Sequence, residues 1–171
     1  MWSGSSTPIS IDIETWGKKL SIVGFGVSAE YAIVVDLIEN GRAEWTLPLL
    51  RDICGSSREK IFHNGYYDMY WLALAGIEVR NWKWDTMHMA HALNPTDEFA
   101  LWYQCSIWLD DYVYWKDRAR DAEEAVASKH RADLMALRIY NGLDCVRTWE
   151  LWQVLWREML RLDKDPSTLA L

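Results

Sequence analysis

The sequence predicts an α/β fold with a mixed five-stranded sheet flanked by helices. Three observations support this prediction: three β-branched runs follow one another after short breaks, two later strand-like runs are separated by helical segments, and the chain from Asp85 onward has helical patterns. Short breaks favour an antiparallel meander, whereas helical crossovers favour parallel pairing. The 171 residues suffice for a single domain, residues 1–171, with residues 1–7 as a loose N-terminal tail.

The sheet is expected to begin with three strands, ISIDIE (9–14), LSIVGFGVS (20–28) and YAIVVDLI (31–38). The segment TLPLLRDICGSS (46–57) then predicts a short helix closed by Gly55, and EKIFHN (59–64) predicts the fourth strand. We expect the first strand to lie at the centre of the sheet.

A second helix is predicted over GYYDMYWLALAG (65–76), and EVRNWKW (78–84) predicts the last strand. Tyr67, Trp71 and Leu74 share one stripe of that helix. A long amphipathic helix is predicted from about Ala132 to Leu162. Its tryptophans recur at helical spacing, so we expect them in the core: Trp149, Trp152 and Trp156.

The composition narrows the classes of function. A net charge of −7 argues against a protein that grips long duplex DNA by its backbone, so nucleic acid would be bound at a small site where metal ions supply positive charge. No apolar run reaches the roughly 18 residues of a membrane span, and the N-terminus has no signal-peptide pattern. The cysteines lie far apart without metal-binding spacing, so we expect buried free thiols in a reducing compartment: Cys54, Cys105 and Cys145.

Acidic residues occur at three places in the chain, the first of which is PISIDIETWG (8–17). Asp12 and Glu14 alternate along a predicted strand, so both carboxylates face one side, about 7 Å apart along the chain. Like charges this close repel each other.

The second place is FHNGYYDMYWL (62–72), where Asn64 ends a strand and Asp68 lies about one turn into the next helix. Asn64 could simply cap that helix, but an acid in so apolar a helix is unusual unless it is exposed or paired. In the third place, RIYNGLDCVRTWEL (138–151), Tyr140 and Asp144 are four residues apart and share a helix face. A helix N-cap or first-turn acid is the alternative for Asp144.

Each of these places is weak evidence alone, but the ordered set is specific. Four acids that converge at the end of a sheet make an oxygen-rich site for hard divalent ions such as Mg²⁺ or Mn²⁺. We therefore expect metal charge to hold the crowded carboxylates together.

These motifs resemble those of the DnaQ-like, or DEDD, 3′→5′ exonuclease superfamily, on a ribonuclease H-like fold. The tyrosine of the third motif is typical of its DEDDy branch. The stretches WDTMHMAHALNP, YWKD and YNGLDCVRTWEL look most like the proofreading exonuclease domain of family A DNA polymerases, especially phage ones. The resemblance runs from about Ile9 to Leu160.

The resemblance implies hydrolysis of a terminal phosphodiester with two metal ions, releasing nucleoside monophosphates. By carry-over from the family, Asp12, Glu14, Asp68 and Asp144 would hold the ions, with Asp12 bridging them. One ion would activate a water and the other would stabilise the leaving 3′ oxygen. Tyr140 would orient the attacking water and need not act as a base.

The resemblance also suggests contacts with the substrate. Thr15 and Trp16 would border the terminal nucleotide, Asn64 could contact its sugar or phosphate, and Lys116 of YWKD could reach a phosphate, although a solvated lysine is the alternative there. The histidines show no zinc-type spacing, and packing is the favoured interpretation of His88 and His91.

Several functional alternatives stay open from the sequence. The substrate is expected to be single-stranded or frayed 3′ ends of DNA, but an exoribonuclease resembling the ribonuclease D group has the same motifs. An inert nucleic-acid-binding scaffold is a third alternative. We expect either a free-standing exonuclease or an excised polymerase domain, which could work with a DNA polymerase in trans, in the cytoplasm of a bacterial or phage-infected cell, without a membrane partner.

Overall fold

Five strands form one mixed sheet in a computed structural model that describes residues 7–16, 18–37, 43–115 and 131–162. The tail expected at residues 1–7 lies, except for Thr7, outside these ranges. The strands are β1 (Ile9–Trp16), β2 (Lys19–Gly26), β3 (Ala32–Asp36), β4 (Lys60–Phe62) and β5 (Trp82–Asp85). The described helices are α1 (Ala43–Cys54), α2 (Tyr66–Leu74), α3 (Thr86–Leu93), α4 (Leu101–Trp108) and α5 (Arg131–Arg161).

The strand order is β3-β2-β1-β4-β5, which puts β1 at the centre. β1 runs antiparallel to β2 and parallel to β4, and β2 runs antiparallel to β3. β4 and β5 are parallel, as the helical crossovers predict. The predicted mixed five-stranded sheet with a central first strand is therefore confirmed.

The two faces of β1 have different partners. Ile9, Ile11 and Ile13 are buried in a cluster with Leu50 of α1 and Leu72 of α2. The residues between these isoleucines face α5 on the other side of the sheet, where side chains of β1 and α5 form hydrogen bonds. The alternation of β1 thus separates an apolar face from the face that carries the acids.

Three hydrogen bonds in a line join α5 to β1. They are the Trp149 Nε1–H donating to the carbonyl of Pro8 (3.0 Å), the Ser10 hydroxyl donating to the carbonyl of Cys145 (2.6 Å), and the Asn141 Nδ2–H donating to the Asp12 carboxylate (2.7 Å). Each step is four residues on the helix and two on the strand. These steps match because four helical residues rise about 6 Å and two strand residues about 6.6 Å.

Two glycines of β2 let α5 approach the sheet this closely. A Cβ on Gly26 would lie 2.3 Å from the Ser10 hydroxyl oxygen and 2.7 Å from the carbonyl oxygen of Cys145. A Cβ on Gly24 would lie 2.2 Å from Oδ1 of Asn141 and 2.5 Å from Sγ of Cys145. Gly24 and Gly26 of β2 therefore mark the place where the helix that carries Asp144 packs on the sheet.

The predicted core tryptophans of α5 are confirmed. Trp149 and Trp152 are buried in the cluster that also contains Trp84 and Met89, and Trp156 packs against it. The prediction of buried free thiols is also confirmed, since all three cysteines are free and buried.

The stripe predicted on α2 lies largely on the outer side of the helix. Tyr67 and Leu74 are 51% and 63% exposed, whereas Asp68 and Leu72 are buried. The side of α2 that faces the rest of the molecule therefore carries a buried acid, Asp68, together with Leu72.

Among the described helices, none combines the length and the hydrophobicity that a membrane span needs.

Two glycine substitutions test whether the close contact between α5 and the sheet, rather than helix propensity, determines the effect of an added Cβ on stability. Gly26→Ala should lower the free energy of unfolding by about 1–3 kcal/mol, because its Cβ meets the backbone of α5. Gly142→Ala should be neutral or stabilise by up to about 1 kcal/mol, because its Cβ would contact side-chain carbons alone, Val34 Cγ2 at 3.3 Å and Ala32 Cβ at 3.8 Å, and alanine favours the helix. Urea denaturation measures both, and equal values for the two variants would contradict the proposed close contact.

Candidate functional site

Three carboxylates from two elements meet on the α5 side of β1. Asp12 and Glu14 of β1 and Asp144 of α5 each have one oxygen within 4.8 Å of the others, an arrangement that could hold a metal ion. Asp144 is buried in the interior of α5, far from either helix end, so the alternative of an N-cap or first-turn acid is wrong.

Asp68 lies outside this group of three but close to it. Its carboxylate is buried and accepts the backbone N–H of Ile13, the residue between Asp12 and Glu14. Burial, and then the charges of Asp85 and Asp144, raise the pKa of Asp68 to about 8. A cation bound nearby would favour the ionised form of this carboxyl group.

Tyr140 lies one turn before Asp144, and its hydroxyl forms a hydrogen bond with that carboxylate. Burial raises the pKa of Tyr140 well above its usual value, and the charges of Asp144, Glu14 and Asp12 raise it further. The raised pKa favours the protonated phenol, which can donate a hydrogen bond.

Two neutral donors to the site carboxylates were not identified from the sequence. The Trp115 indole N–H donates to Oδ1 of Asp144 at 2.6 Å, and the Asn141 amide donates to Oδ2 of Asp12 at 2.7 Å. Both residues lie in stretches that carry the resemblance, YWKD and YNGLD. The sequence contains no local signal for either hydrogen bond.

Asn64 does not cap α2, so the capping interpretation is wrong. The N-cap position is Gly65, no side chain caps it, and Asn64 adopts a left-handed conformation with φ 59°. The fully buried Asp85 carboxylate accepts hydrogen bonds at the start of two helices. Before α2 it accepts the N–H groups of Asn64 (3.1 Å) and Gly65 (2.9 Å). It also caps α3 by accepting the N–H of Met87 (3.0 Å). One carboxylate therefore organises the start of both helices.

The other predicted contact residues lie at the end of β1 or outside the described ranges. The Thr15 hydroxyl is 2.9 Å from the Tyr67 hydroxyl, and the Trp16 N–H donates to the Ser21 hydroxyl at 2.9 Å. Lys116 lies outside the described residues.

The histidine rings have packing and hydrogen-bonding partners. The nitrogens of His63 are each 2.8 Å from an oxygen, of Thr86 and of Phe99. The rings of His88 and His91 lie 6.1 Å and 5.1 Å from those of Tyr66 and Phe99, in agreement with the packing interpretation.

The fold has counterparts in known proteins. The family model for the 3′-5′ exonuclease of family A DNA polymerases matches residues 3–160. NrnC of Brucella melitensis is 25% identical, with a TM-score of 0.64 over 94% of this chain and 77% of that one. Its structure with bound Mg²⁺ is 26% identical, with a TM-score of 0.61 over the same shares.

A more distant likeness concerns the fold alone. The POL domain of Pol1 from M. smegmatis, in complex with DNA primer-template and dNTP, is 16% identical, with a TM-score of 0.60. The match covers 95% of this chain and 25% of that one. None of the curated proteins compared with the chain matches it significantly.

Removing the Asp85 carboxylate should destabilise the part of the fold that carries Asp68. Asp85→Ala should lower the free energy of unfolding by about 2–4 kcal/mol, because α3 loses its cap and buried N–H groups lose their acceptor. Urea denaturation measures the loss. Asp110→Ala, at an exposed turn, is the control and should change stability by less than about 0.5 kcal/mol. A similar small change in Asp85→Ala would refute the structural role of Asp85.

Proposed function

The chain belongs to the 3′-5′ exonuclease family of the DnaQ-like superfamily, and from this premise we propose that it removes nucleotides from single-stranded or frayed 3′ ends of DNA. The observation that carries the proposal is the group of Asp12, Glu14 and Asp144, whose oxygens lie within 4.8 Å of one another. We further propose that residues 1–171 act as one exonuclease domain.

The proposed reaction depends on two divalent cations, Mg²⁺ or Mn²⁺, held by Asp12, Glu14, Asp68 and Asp144. Carboxylate oxygens are the ligands that these ions prefer, and the mutual repulsion of the four acids is relieved when cations are bound. Such ions would supply an activated water and stabilise the charge that develops on the leaving 3′ oxygen. The likeness to a structure with bound Mg²⁺ supports this choice of ion.

Tyr140 would orient the attacking water. Its phenol is kept neutral by burial and by the neighbouring carboxylates, so it offers a hydroxyl group at the site throughout the ordinary pH range. A positioned donor restricts the direction from which the water approaches the phosphorus. The metal site, rather than the phenol, would provide the acidity that ionises this water.

The terminal nucleotide would lie beside the end of β1. Thr15 and Trp16 follow the acid pair directly, and the half-exposed Tyr67 reaches Thr15 with its hydroxyl. Asn64 and Lys116 are the further proposed contacts with sugar or phosphate. An acidic site of this size suits one strand with stacked bases better than an intact duplex.

The proposal is tested with matched DNA and RNA single strands labelled at the 5′ end, incubated with Mg²⁺ or Mn²⁺. We expect a ladder of products that shorten stepwise from the 3′ end, with DNA degraded faster than RNA. Faster loss of RNA would instead identify an exoribonuclease. No loss of either strand, combined with binding, would indicate an inert scaffold.

Replacing single site carboxylates should abolish this activity. Asp12→Ala and Asp144→Ala should each reduce turnover by at least about a thousandfold, because a lost ligand removes several kcal/mol of stabilisation from the transition state. Both variants should keep the circular dichroism of the wild type. Asp52→Ala removes an exposed carboxylate from α1, on the other face of the sheet, and should leave turnover unchanged. Wild-type activity in both site variants would refute the assignment.

Replacing the hydroxyl of Tyr140 should have a smaller effect. Tyr140→Phe should lower turnover by about a hundredfold or less, because the water is misplaced while the ligands remain. Single-turnover kinetics at saturating substrate measure this step. Unchanged turnover would remove the orienting role.

A further inference from the structure

We propose that Asn141 and Trp115 are positioning residues for the metal site, each fixing one site carboxylate through a single neutral N–H donor. Asn141 would hold Asp12 and Trp115 would hold Asp144. This inference rests on the proposed metal-dependent function, and the experiment below distinguishes the failure of one from the failure of the other.

The Asn141 amide is fully buried between α5 and the sheet. Its Nδ2–H donates to Asp12 at 2.7 Å, while its Oδ1 has no hydrogen-bond partner in the part of the chain that the structure describes. The reverse orientation would set the amide oxygen against the carboxylate, which neither group can relieve by donating. A buried acceptor without a partner costs about 1–3 kcal/mol, which offsets most of what the hydrogen bond to Asp12 contributes to stability. The amide is therefore explained by its contact with Asp12.

Gly24 of β2 leaves the space that the Asn141 amide occupies. Gly24 pairs with Asp12 across β1 and β2, and a Cβ on Gly24 would lie 2.2 Å from Oδ1 of Asn141. The side chain of Asn141 thus lies over the pair formed by Asp12 and Gly24. This position confines the amide to a geometry from which it reaches the carboxylate.

Trp115 is buried and has neighbours that restrict its ring. Its ring lies 6.0 Å from that of Tyr112, and the Arg147 guanidinium lies 6.0 Å from its centroid. The indole nitrogen can donate a hydrogen bond but cannot accept one. In its 2.6 Å contact, Trp115 is therefore the donor and the Asp144 carboxylate is the acceptor.

Neutral donors suit this task better than cationic ones. A carboxylate rotates easily about its last torsion, and a hydrogen bond from a fixed neutral donor restricts that rotation without adding a charge. A lysine or arginine in the same place would compete with the metal for the carboxylate. Hydrogen-bond partners of metal ligands typically change metal affinity by about 10–100-fold.

The test measures Mn²⁺ binding to the full chain by isothermal titration calorimetry, alongside the melting temperature without metal. Asn141→Leu and Trp115→Phe should each weaken the Kd for Mn²⁺ by about 10–100-fold. Asn141→Leu should not lower the melting temperature, because it also removes the unpartnered oxygen. High Mn²⁺ should restore part of the nuclease activity in both variants.

Two controls separate positioning from general loosening. Trp108→Phe makes the same chemical change on α4, where the indole donates to Gln104 at 3.0 Å. Ser10→Ala removes a hydrogen bond from the same contact between α5 and β1 without touching a site carboxylate. Both should leave the Kd for Mn²⁺ unchanged, and Ser10→Ala should lower the melting temperature.

The positioning role is overturned if Asn141→Leu and Trp115→Phe bind Mn²⁺ within twofold of the wild type, or if Ser10→Ala weakens binding equally. It stands, and the exonuclease proposal fails, if the variants weaken Mn²⁺ binding but the wild type degrades no oligonucleotide. Wild-type protein that binds no Mn²⁺ would overturn both.

Discussion

The structure depends on one close contact, in which helix α5 lies directly on strands β1 and β2. Gly24 and Gly26 permit it because neither carries a Cβ that would meet the helix. The contact matters for the site because the helical turn that reaches the sheet also carries Asp144. A larger gap between helix and sheet would move Asp144 away from the acid pair of β1, and the three carboxylates would no longer have oxygens within 4.8 Å of one another.

Crowded acids impose the second constraint on the molecule. The protein supplies neutral N–H groups to the carboxylates: an amide to Asp12, an indole to Asp144 and the backbone of Ile13 to Asp68. Such donors favour the ionised form without introducing a positive charge that would occupy the place of a cation. In the proposed function, the repulsion among these carboxylates would favour the binding of a divalent ion.

Local patterns encode part of this site but not all of it. Alternation in β1 predicted that Asp12 and Glu14 share a side, and the four-residue spacing in α5 predicted that Tyr140 precedes Asp144 by one turn. The orientation of α2 was not predicted, because the side of the helix that faces the sheet carries the buried Asp68 and is not marked by apolar periodicity. The donors to Asp12 and Asp144 were missed because they lie 129 and 29 positions away in the chain, where spacing carries no signal.

The line of hydrogen bonds from Pro8 to Asp12 also limits how this chain can change length. One residue inserted in α5 between Asn141 and Trp149 would rotate everything after it by about 100°. One residue inserted in the facing part of β1 would exchange the two faces of the strand and turn the acids towards the isoleucine cluster. A residue gained or lost within either span would therefore break the common register of helix and strand, whereas one gained or lost beyond both spans would leave that register intact.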